Sequence, residues 1–308
     1  MLEVRRLRLL RELSLHGTIA ATARACSLTP SAVSQQLSAL EREIRTPLFV
    51  RDGRRLVLTQ AAQVLVAHTE FILADLEAAR AGVAALKTTV QGVVRLCAFP
   101  TAASALAAPA IASCRRRHPD LRLLLEERET PEALNALQAG DIDIALVYDY
   151  SLLPRPSRRG VELLPLATES MLAALPADAG EPSGPDPAPV DLADLADRPW
   201  IFPHSDAGLR RAMEHACSLA GFTPAVDYTS NDYTVMLALV QAGLGVSLVP
   251  QLALESVTAD LRLHPVTRPG LTRTVSIALR RGTAADPALA AVAAALRKAA
   301  DGLGLARS

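Results

Sequence analysis

Apolar positions between residues 18 and 44 repeat with the period of an α-helix, with one short interruption near residue 28. The segment from Thr18 to Glu41 therefore predicts two helices joined by a tight turn. Thr29 can cap the second helix, and Pro30 suits its first turn. One side of that helix is apolar and is predicted to be core: Val33, Leu37, Leu40 and Ile44.

The opposite side of the second predicted helix is the first candidate binding surface. Its side chains are short and uncharged, so a base pair can come close and be read by hydrogen bonds at its edge. The expected major-groove contacts are Pro30, Ser31, Ser34 and Gln35, and Ser38 is a further DNA-binding candidate on the same face. An ordinary amphipathic surface helix has the same pattern, and the segment that follows favours the DNA-binding interpretation.

Residues 46–59 alternate between apolar and polar around Asp52 and Gly53, which predicts a two-stranded hairpin, or wing. Arg51, Arg54 and Arg55 cluster at its tip, where a guanidinium can pair with phosphates or enter a narrow minor groove. We expect Arg54 to reach the minor groove and Arg51 to hold the DNA backbone. A solvated basic hairpin is the plainer alternative.

A long helix is predicted from residue 61 to about residue 88. Leu65, Ile72, Ala79 and Leu86 recur every seven residues, and Leu76 and Val83 follow Ile72 and Ala79 by four positions. Such a seam favours pairing with the same helix of a second chain. It could also pack on its own domain.

Beyond Gly92 the pattern changes to strands that alternate with helices, which predicts an α/β architecture. Predicted strands at 93–99, 121–127 and 143–148 enclose helices at about 102–118 and 131–139. A second unit is expected from about residue 166 to 265, with a solvent loop at 176–190. A strand at 274–279 and an Ala-rich helix at 287–300 complete the chain.

These segments resemble the LysR-type transcriptional regulators over nearly the whole chain. The wing, residues 47–59, and the run from Met236 to Pro250 carry much of the resemblance, while Cys26, Leu28 and Ala62 depart from the family pattern. The resemblance implies an all-α winged helix-turn-helix domain (1–60), a linker and dimerisation helix (61–89) and an α/β effector domain (90–308). It also implies a homodimer or homotetramer.

The effector domain implied by the resemblance has two Rossmann-like lobes of the periplasmic-binding-protein type 2, with the ligand in the cleft between them. Lobe I would comprise about 90–162 and 268–300, and lobe II about 163–267. Thr101 and Thr130 match effector-contact positions of the family. The full set of expected contacts lies at strand ends and helix starts: Thr101, Ser104, Thr130, His204, Ser205 and Asn231.

Helix capping is the competing role for the Thr and Ser residues of this set, and it is compatible with ligand binding. No arginine falls at the predicted strand ends, where it would indicate a carboxylate ligand. The chemical class of the effector therefore stays open.

Charge supports a nucleic-acid partner at one end of the chain only. The 32 basic and 32 acidic residues balance, yet residues 1–60 hold ten arginines against five acidic side chains, a net charge of +5. Phosphate contact requires this asymmetry. The expected partners are double-stranded promoter DNA and a small-molecule effector, and RNA polymerase is a further candidate.

Other classes of protein are disfavoured by the sequence. The chain has no long apolar run or signal peptide, so we expect a cytoplasmic protein without membrane contact. Its four cysteines have no metal-ligand spacing, and no cofactor motif or catalytic set is present, so no metal, no cofactor and no enzymatic activity are expected. A solute-binding module without a transcriptional role is the alternative, but it would not carry residues 1–60.

Overall fold

The structure is a computed structural model that describes residues 2–52, 55–86, 89–154, 159–177, 188–204, 208–256 and 261–305. Its N-terminal part is a small helical domain with a hairpin: α1 (Val4–His16), α2 (Ile19–Ala25), α3 (Pro30–Ile44), β1 (Phe49–Asp52) and β2 (Arg55–Leu58). Leucines of α1 and α3 form its core with Leu48. Three of the four predicted core residues of α3 are buried, and Ile44 packs at the edge.

The long helix α4 (Gln60–Ala85) leaves this domain, and the hydroxyl of Thr59 caps it by accepting from the Ala62 amide. At 1.5 Å per residue its 26 residues span roughly 39 Å. The helix contacts α1 and the last helix of the chain, α10 (Pro287–Gly302). It therefore joins the N-terminal domain to the α/β part of the chain.

The first α/β lobe has a central sheet flanked by helices. It contains β3 (Gly92–Ala98), β4 (Leu121–Glu127), α7 (Thr130–Ala139) and β5 (Ile144–Tyr150). The predicted helix at 102–118 is composite: α5 (Pro100–Ala102), a π-helical segment (Ala103–Ala107) and α6 (Ala108–Arg117). The lobe is completed by β12 (Thr272–Arg280) and α10 (Pro287–Gly302), and the strand order is β4–β3–β5–β12, with β6 (Val161–Pro176) next to β12.

Strand β6 (Val161–Pro176) passes through both lobes. Its residues 161–170 pair with β12, and residues 171–176 pair with β10 (Ser247–Pro250) and β11 (Leu261–Arg268). The expected lobe boundary at 162–163 therefore falls inside one continuous strand, and the pairing partners change eight residues later. A strand this long gives the two lobes a common hinge.

The second lobe forms around the far half of β6. It contains β7 (Val190–Asp191), β8 (Pro199–Phe202), α8 (Gly208–Leu219), β9 (Ala225–Thr229) and α9 (Tyr233–Gln241), with short 3₁₀ helices at Leu192–Leu195 and Gln251–Ser256. Trp200 and Phe202 lie in its core. Most of the predicted solvent loop, residues 178–187, lies outside the described residues. None of the described helices is long and apolar enough to span a bilayer.

Candidate functional site

The polar face of α3 is open to solvent. Thr29 caps the helix as predicted, because its hydroxyl accepts from the Ala32 amide at 3.2 Å. Pro30, Ser31, Gln35 and Ser38 are exposed, and Ser34 is partly exposed. Among the described residues, the side chains of Ser34, Gln35 and Ser38 have no hydrogen-bond partner, whereas Ser31 shares a hydrogen bond with Thr29. These groups are therefore free to exchange water for another partner.

The predicted wing is confirmed as an antiparallel hairpin in which Asp52 pairs with Arg55. Gly53 and Arg54 lie outside the described residues, and so do the side chains of Arg51 and Arg55. The roles expected for these three arginines stay predictions. The backbone places the two strands of the wing, β1 and β2, in the same small domain as α3.

The two threonines expected at the effector site are buried, with exposed fractions of 8% for Thr101 and 7% for Thr130. Neither caps a helix. The Thr101 hydroxyl accepts a hydrogen bond from Nη2 of Arg273 at 3.0 Å, and the Thr130 hydroxyl accepts one from the Tyr148 amide at 3.1 Å. The rings of Phe99 and Tyr148 meet edge to face between them. Both hydroxyls therefore reach one aromatic, polar cluster.

Arg273 is the centre of this cluster, and the sequence analysis missed it. It lies at the start of β12, directly before the predicted strand, and is 1% exposed. Its guanidinium forms an ion pair with the buried Glu169 at 2.7 Å and lies over the rings of Phe99 and Tyr148. The expectation that no arginine occupies a strand end at the cleft is thus wrong.

The charge of Arg273 is matched inside the protein. Burial lowers the pKa of Arg273, but the neighbouring Glu169 and the tyrosines Tyr150 and Tyr233 raise it above its ordinary value. The second oxygen of Glu169 accepts from the Leu252 amide at 2.7 Å, so both carboxylate oxygens are bonded. The network thus joins Thr101 and β12 of lobe I, through Glu169 on β6, to the 3₁₀ helix Gln251–Ser256 of lobe II.

Three tyrosines extend the cluster toward lobe II. The Tyr150 hydroxyl is hydrogen-bonded to Arg273 and to Tyr233, which begins α9. Burial raises the pKa of Tyr233 to about 12 and also raises the pKa of Tyr148, whose hydroxyl donates to Glu129 at 2.7 Å. All three phenols therefore stay protonated at neutral pH; the Tyr148 hydroxyl donates to Glu129, whereas the Tyr150 hydroxyl accepts from Arg273.

The remaining expected contacts are less closely joined to the cluster. Ser104 is exposed, and its hydroxyl donates back to the Thr101 carbonyl. In lobe II, His204 and Asn231 are brought together, because the Asn231 side chain accepts from the His204 amide at 2.9 Å. Ser205 lies outside the described residues. Asn231 precedes Tyr233 by two residues, which places this pair beside the lobe II end of the cluster.

Comparison with known proteins identifies the family. A model described as "Bacterial regulatory helix-turn-helix protein, lysR family" matches residues 4–63, and one described as "LysR substrate binding domain" matches residues 87–301. The chain belongs to the LysR family. As a LysR-type transcriptional regulator, it combines a DNA-binding helix-turn-helix domain with an effector-binding domain of two α/β lobes.

LysR relatives match along most of the chain. The transcriptional dual regulator GltC of Bacillus subtilis is 28% identical over 279 residues, 90% of each chain. A full-length OxyR variant from Pseudomonas aeruginosa has a TM-score of 0.63 at 23% identity and covers 96% of this chain and 95% of its own. CbnR in complex with its target DNA has a TM-score of 0.54 at 22% identity, with coverages of 97% and 100%. The two structures show the shared fold.

In this LysR chain, α4 has two contrasting sides. Leu65 packs partly against the core of the helix-turn-helix domain, and Ala81 is buried. The later positions of the predicted seam are exposed, with fractions of 67% for Val83 and 82% for Leu86. Ile72 and Leu76 are also exposed. The seam thus packs within its own chain at Leu65, and its later positions from Ile72 to Leu86 stay bare.

The cysteines of this LysR chain are unpaired. Cys97, Cys114 and Cys217 are buried in three separate clusters, and Cys26 is partly exposed. Burial raises the pKa of each thiol, to about 11 for Cys97 and about 12 for Cys217. A reactive thiol needs a lowered pKa, so these environments favour inert packing over redox sensing.

Proposed function

We propose that this regulator binds promoter DNA through the exposed face of α3 and the wing. The single observation that carries the proposal is the unpaired polar face of α3. Pro30, Ser31, Ser34, Gln35 and Ser38 would face the major groove, and the wing arginines would hold the backbone and the minor groove. The net charge of +5 over residues 1–60 supplies the long-range attraction.

We further propose that α4 pairs with its copy in a second chain, and that two such dimers form a tetramer. The bare seam from Ile72 to Leu86 supports this, because covering one exposed Leu or Val contributes about 1.5–3 kcal/mol. Two-fold symmetry would then present two copies of α3 to two half-sites on DNA.

The effector is proposed to bind in the cleft between the lobes, near Thr101, Thr130 and the tyrosines. Closure of the lobes around the hinge would change how the dimers engage and bend the promoter. This is a shift of population between two quaternary states, and it requires the effector to have unequal affinity for them. His204, Ser205 and Asn231 would contribute contacts from lobe II.

A salt-dependent gel shift tests the proposal. Purified protein is titrated onto the DNA upstream of its own coding sequence and onto unrelated DNA of equal length. Tight, selective binding that weakens steeply with salt is expected from several phosphate contacts. Equal or absent binding to both DNAs would count against the proposal and favour a solute-binding module.

A further inference from the structure

Two arginines of the helix-turn-helix domain contact the end of a helix in lobe I of the same chain. Arg8 and Arg11 lie on α1. Nη2 of Arg8 donates to the Ala139 carbonyl at 3.3 Å, and Nη1 of Arg11 donates to the Gln138 carbonyl at 3.1 Å. Both acceptors are the last carbonyls of α7, where the helix dipole is negative and favours a guanidinium.

Arg11 makes this contact rigid. It is 5% exposed, and its Nε donates to Glu70 of α4 at 3.1 Å while its Nη1 also donates to Glu12 at 2.7 Å. One buried guanidinium therefore joins α1, α4 and α7. Because a buried charge needs all of its partners, the three helices are expected to keep one relative position.

Two glycines hold lobe I tightly against α4. A Cβ atom at Gly160 would clash with the Glu70 carboxylate, and one at Gly282 would clash with the Ala74 backbone. Both glycines have positive φ, which also favours residues without a Cβ. The backbone of lobe I therefore approaches α4 closely at both positions.

The groove at this junction is rich in arginine, but its charges have partners. It is lined by Arg8, Arg11, Arg80, Arg280 and Arg281 and has a volume of about 210 Å³. Arg280 donates to the Leu137 and Ile142 carbonyls, and Arg80 pairs with Glu77. Most of these side chains thus donate to carbonyls at or near the end of α7 or pair with nearby carboxylates. This favours a structural contact between helices over a binding site for a free anion.

The other end of α7 lies at the effector cleft. The helix begins at Thr130, whose hydroxyl accepts from the Tyr148 amide, and Tyr148 lies against Arg273. Ala133, Ala136 and Leu137 pack the helix on the sheet. Its ten residues span about 15 Å, so a single rigid helix has one end in the cleft and the other on the DNA-binding domain.

We propose that α7 couples the effector cleft directly to the helix-turn-helix domain of the same chain, through Arg8 and Arg11. A displacement of Thr130 when the cleft is occupied moves the carbonyls to which α1 is bonded and so changes the orientation of α3. The inference rests on the proposed function. It adds an output route that does not depend on the pairing of α4 with a second chain.

Coupling between two sites is reciprocal, so DNA binding at the helix-turn-helix domain must also alter the effector cleft. The proposal can therefore be tested without knowing the effector. Hydrogen–deuterium exchange of the full-length protein is measured free and saturated with its upstream DNA. In the wild type, we expect DNA to change the exchange rates of α7 and Tyr148 amides by about threefold or more. In the double variant Arg8→Ala, Arg11→Gln, the DNA-induced change in the logarithm of the exchange rate should be less than half of that in the wild type.

Arg5→Ala is the matched control for Arg8→Ala, since each removes one positive charge from an exposed position of α1, and Arg5→Ala should keep the full exchange change. Arg8→Ala alone, at an exposed side chain, should lose part of it and provides the test if the double variant does not fold. DNA binding that leaves α7 exchange unchanged, or an unaltered change in the variants, overturns the coupling alone. Failure of the wild type to bind this DNA overturns the proposed function and the coupling with it.

Discussion

The face of α3 and the cleft around Arg273 are both rich in polar groups, but they differ in how those groups are satisfied. On α3, Gln35 and Ser38 have no protein partner among the described residues and are hydrated. In the cleft, Arg273 donates hydrogen bonds to both Glu169 and Thr101. A surface that binds a large partner can leave its donors to water, whereas a buried site must satisfy them within the protein.

This difference predicts that polar substitutions in the cleft mainly change stability, while those on α3 mainly change binding. At the proposed sites, an effector would meet a cluster that is already neutralised and hydrogen-bonded, whereas DNA would only replace water on α3. The variants below test this contrast, from the largest expected change in the free energy of unfolding to the smallest.

Glu169→Ala has the largest expected effect. It leaves Arg273 as a buried charge without its carboxylate, and the free energy of unfolding should fall by about 3–5 kcal/mol. Urea denaturation followed by circular dichroism measures the change. Glu162→Ala, on the same strand but partly exposed, is the control and should cost under about 1 kcal/mol.

A second variant isolates the charge effect. The double substitution Glu169→Leu, Arg273→Met removes both charges and should recover much of the stability that Glu169→Ala loses, because no unpaired ion remains. A Glu169→Ala protein as stable as the control would contradict the contrast between the two regions.

Thr130→Val is expected to cost about 2 kcal/mol. Valine keeps the shape of the side chain, but the partly buried Tyr148 amide loses its acceptor. Thermal and urea unfolding measure the change. Ser104→Ala, which removes an exposed hydroxyl bonded only to carbonyls of its own helical segment, should differ from the wild type by less than about 0.5 kcal/mol. Equal losses in the two variants would show that burial of the hydroxyl does not decide its contribution.

The sequence predicted local features of the fold well, because the interacting residues are close in the chain. The Thr29 hydroxyl caps α3 at the amide of Ala32, only three residues later. The wing is predicted by the alternation around Asp52 and Gly53 alone. The α/β lobes could be predicted because the hydrophobic pattern changes after Gly92 to strands that alternate with helices. Each of these elements depends on propensity and spacing, which a single sequence displays.

The centre of the cleft could not be predicted in the same way. Thr101 and Arg273 are 172 positions apart, and Glu169 faces Arg273 because of the antiparallel register between β6 and β12. A shift of one residue in that register would turn one partner to the other side of the sheet. Register between distant strands is set by tertiary packing, so the ion pair became visible only in the structure.

The pH dependence of unfolding at alkaline pH has a smaller expected effect, and it compares a buried thiol with a partly exposed one. Burial raises the pKa of Cys217 to about 12, whereas the ordinary value of 9.0 applies to the unfolded chain. The unfolded state therefore loses its proton first, and the stabilisation present below pH 9 is lost as the pH rises toward 12. From pH 8 to pH 10, this one thiol should lower the free energy of unfolding by about 1 kcal/mol.

The measurement is the pH dependence of urea unfolding under reducing conditions, compared between the wild type and Cys217→Ala. The variant should lose less stability over this pH range. Cys26→Ala is the control, because Cys26 is partly exposed and the rise in its pKa is smaller. Identical pH dependence in the wild type and Cys217→Ala would contradict the effect assigned to burial.

Gln35→Ala should have the smallest effect on unfolding, under about 0.5 kcal/mol, because the side chain is hydrated and has no partner among the described residues. Its effect on DNA should be larger: preference at one base pair is expected to relax by about 1–3 kcal/mol. Gel shifts on operator variants measure this. Gln36→Ala is a close control, since Gln36 instead accepts from Arg6 at 3.1 Å and should change base preference little. Equal loss of specific and non-specific affinity in Gln35→Ala would show that this face attracts DNA without reading its sequence.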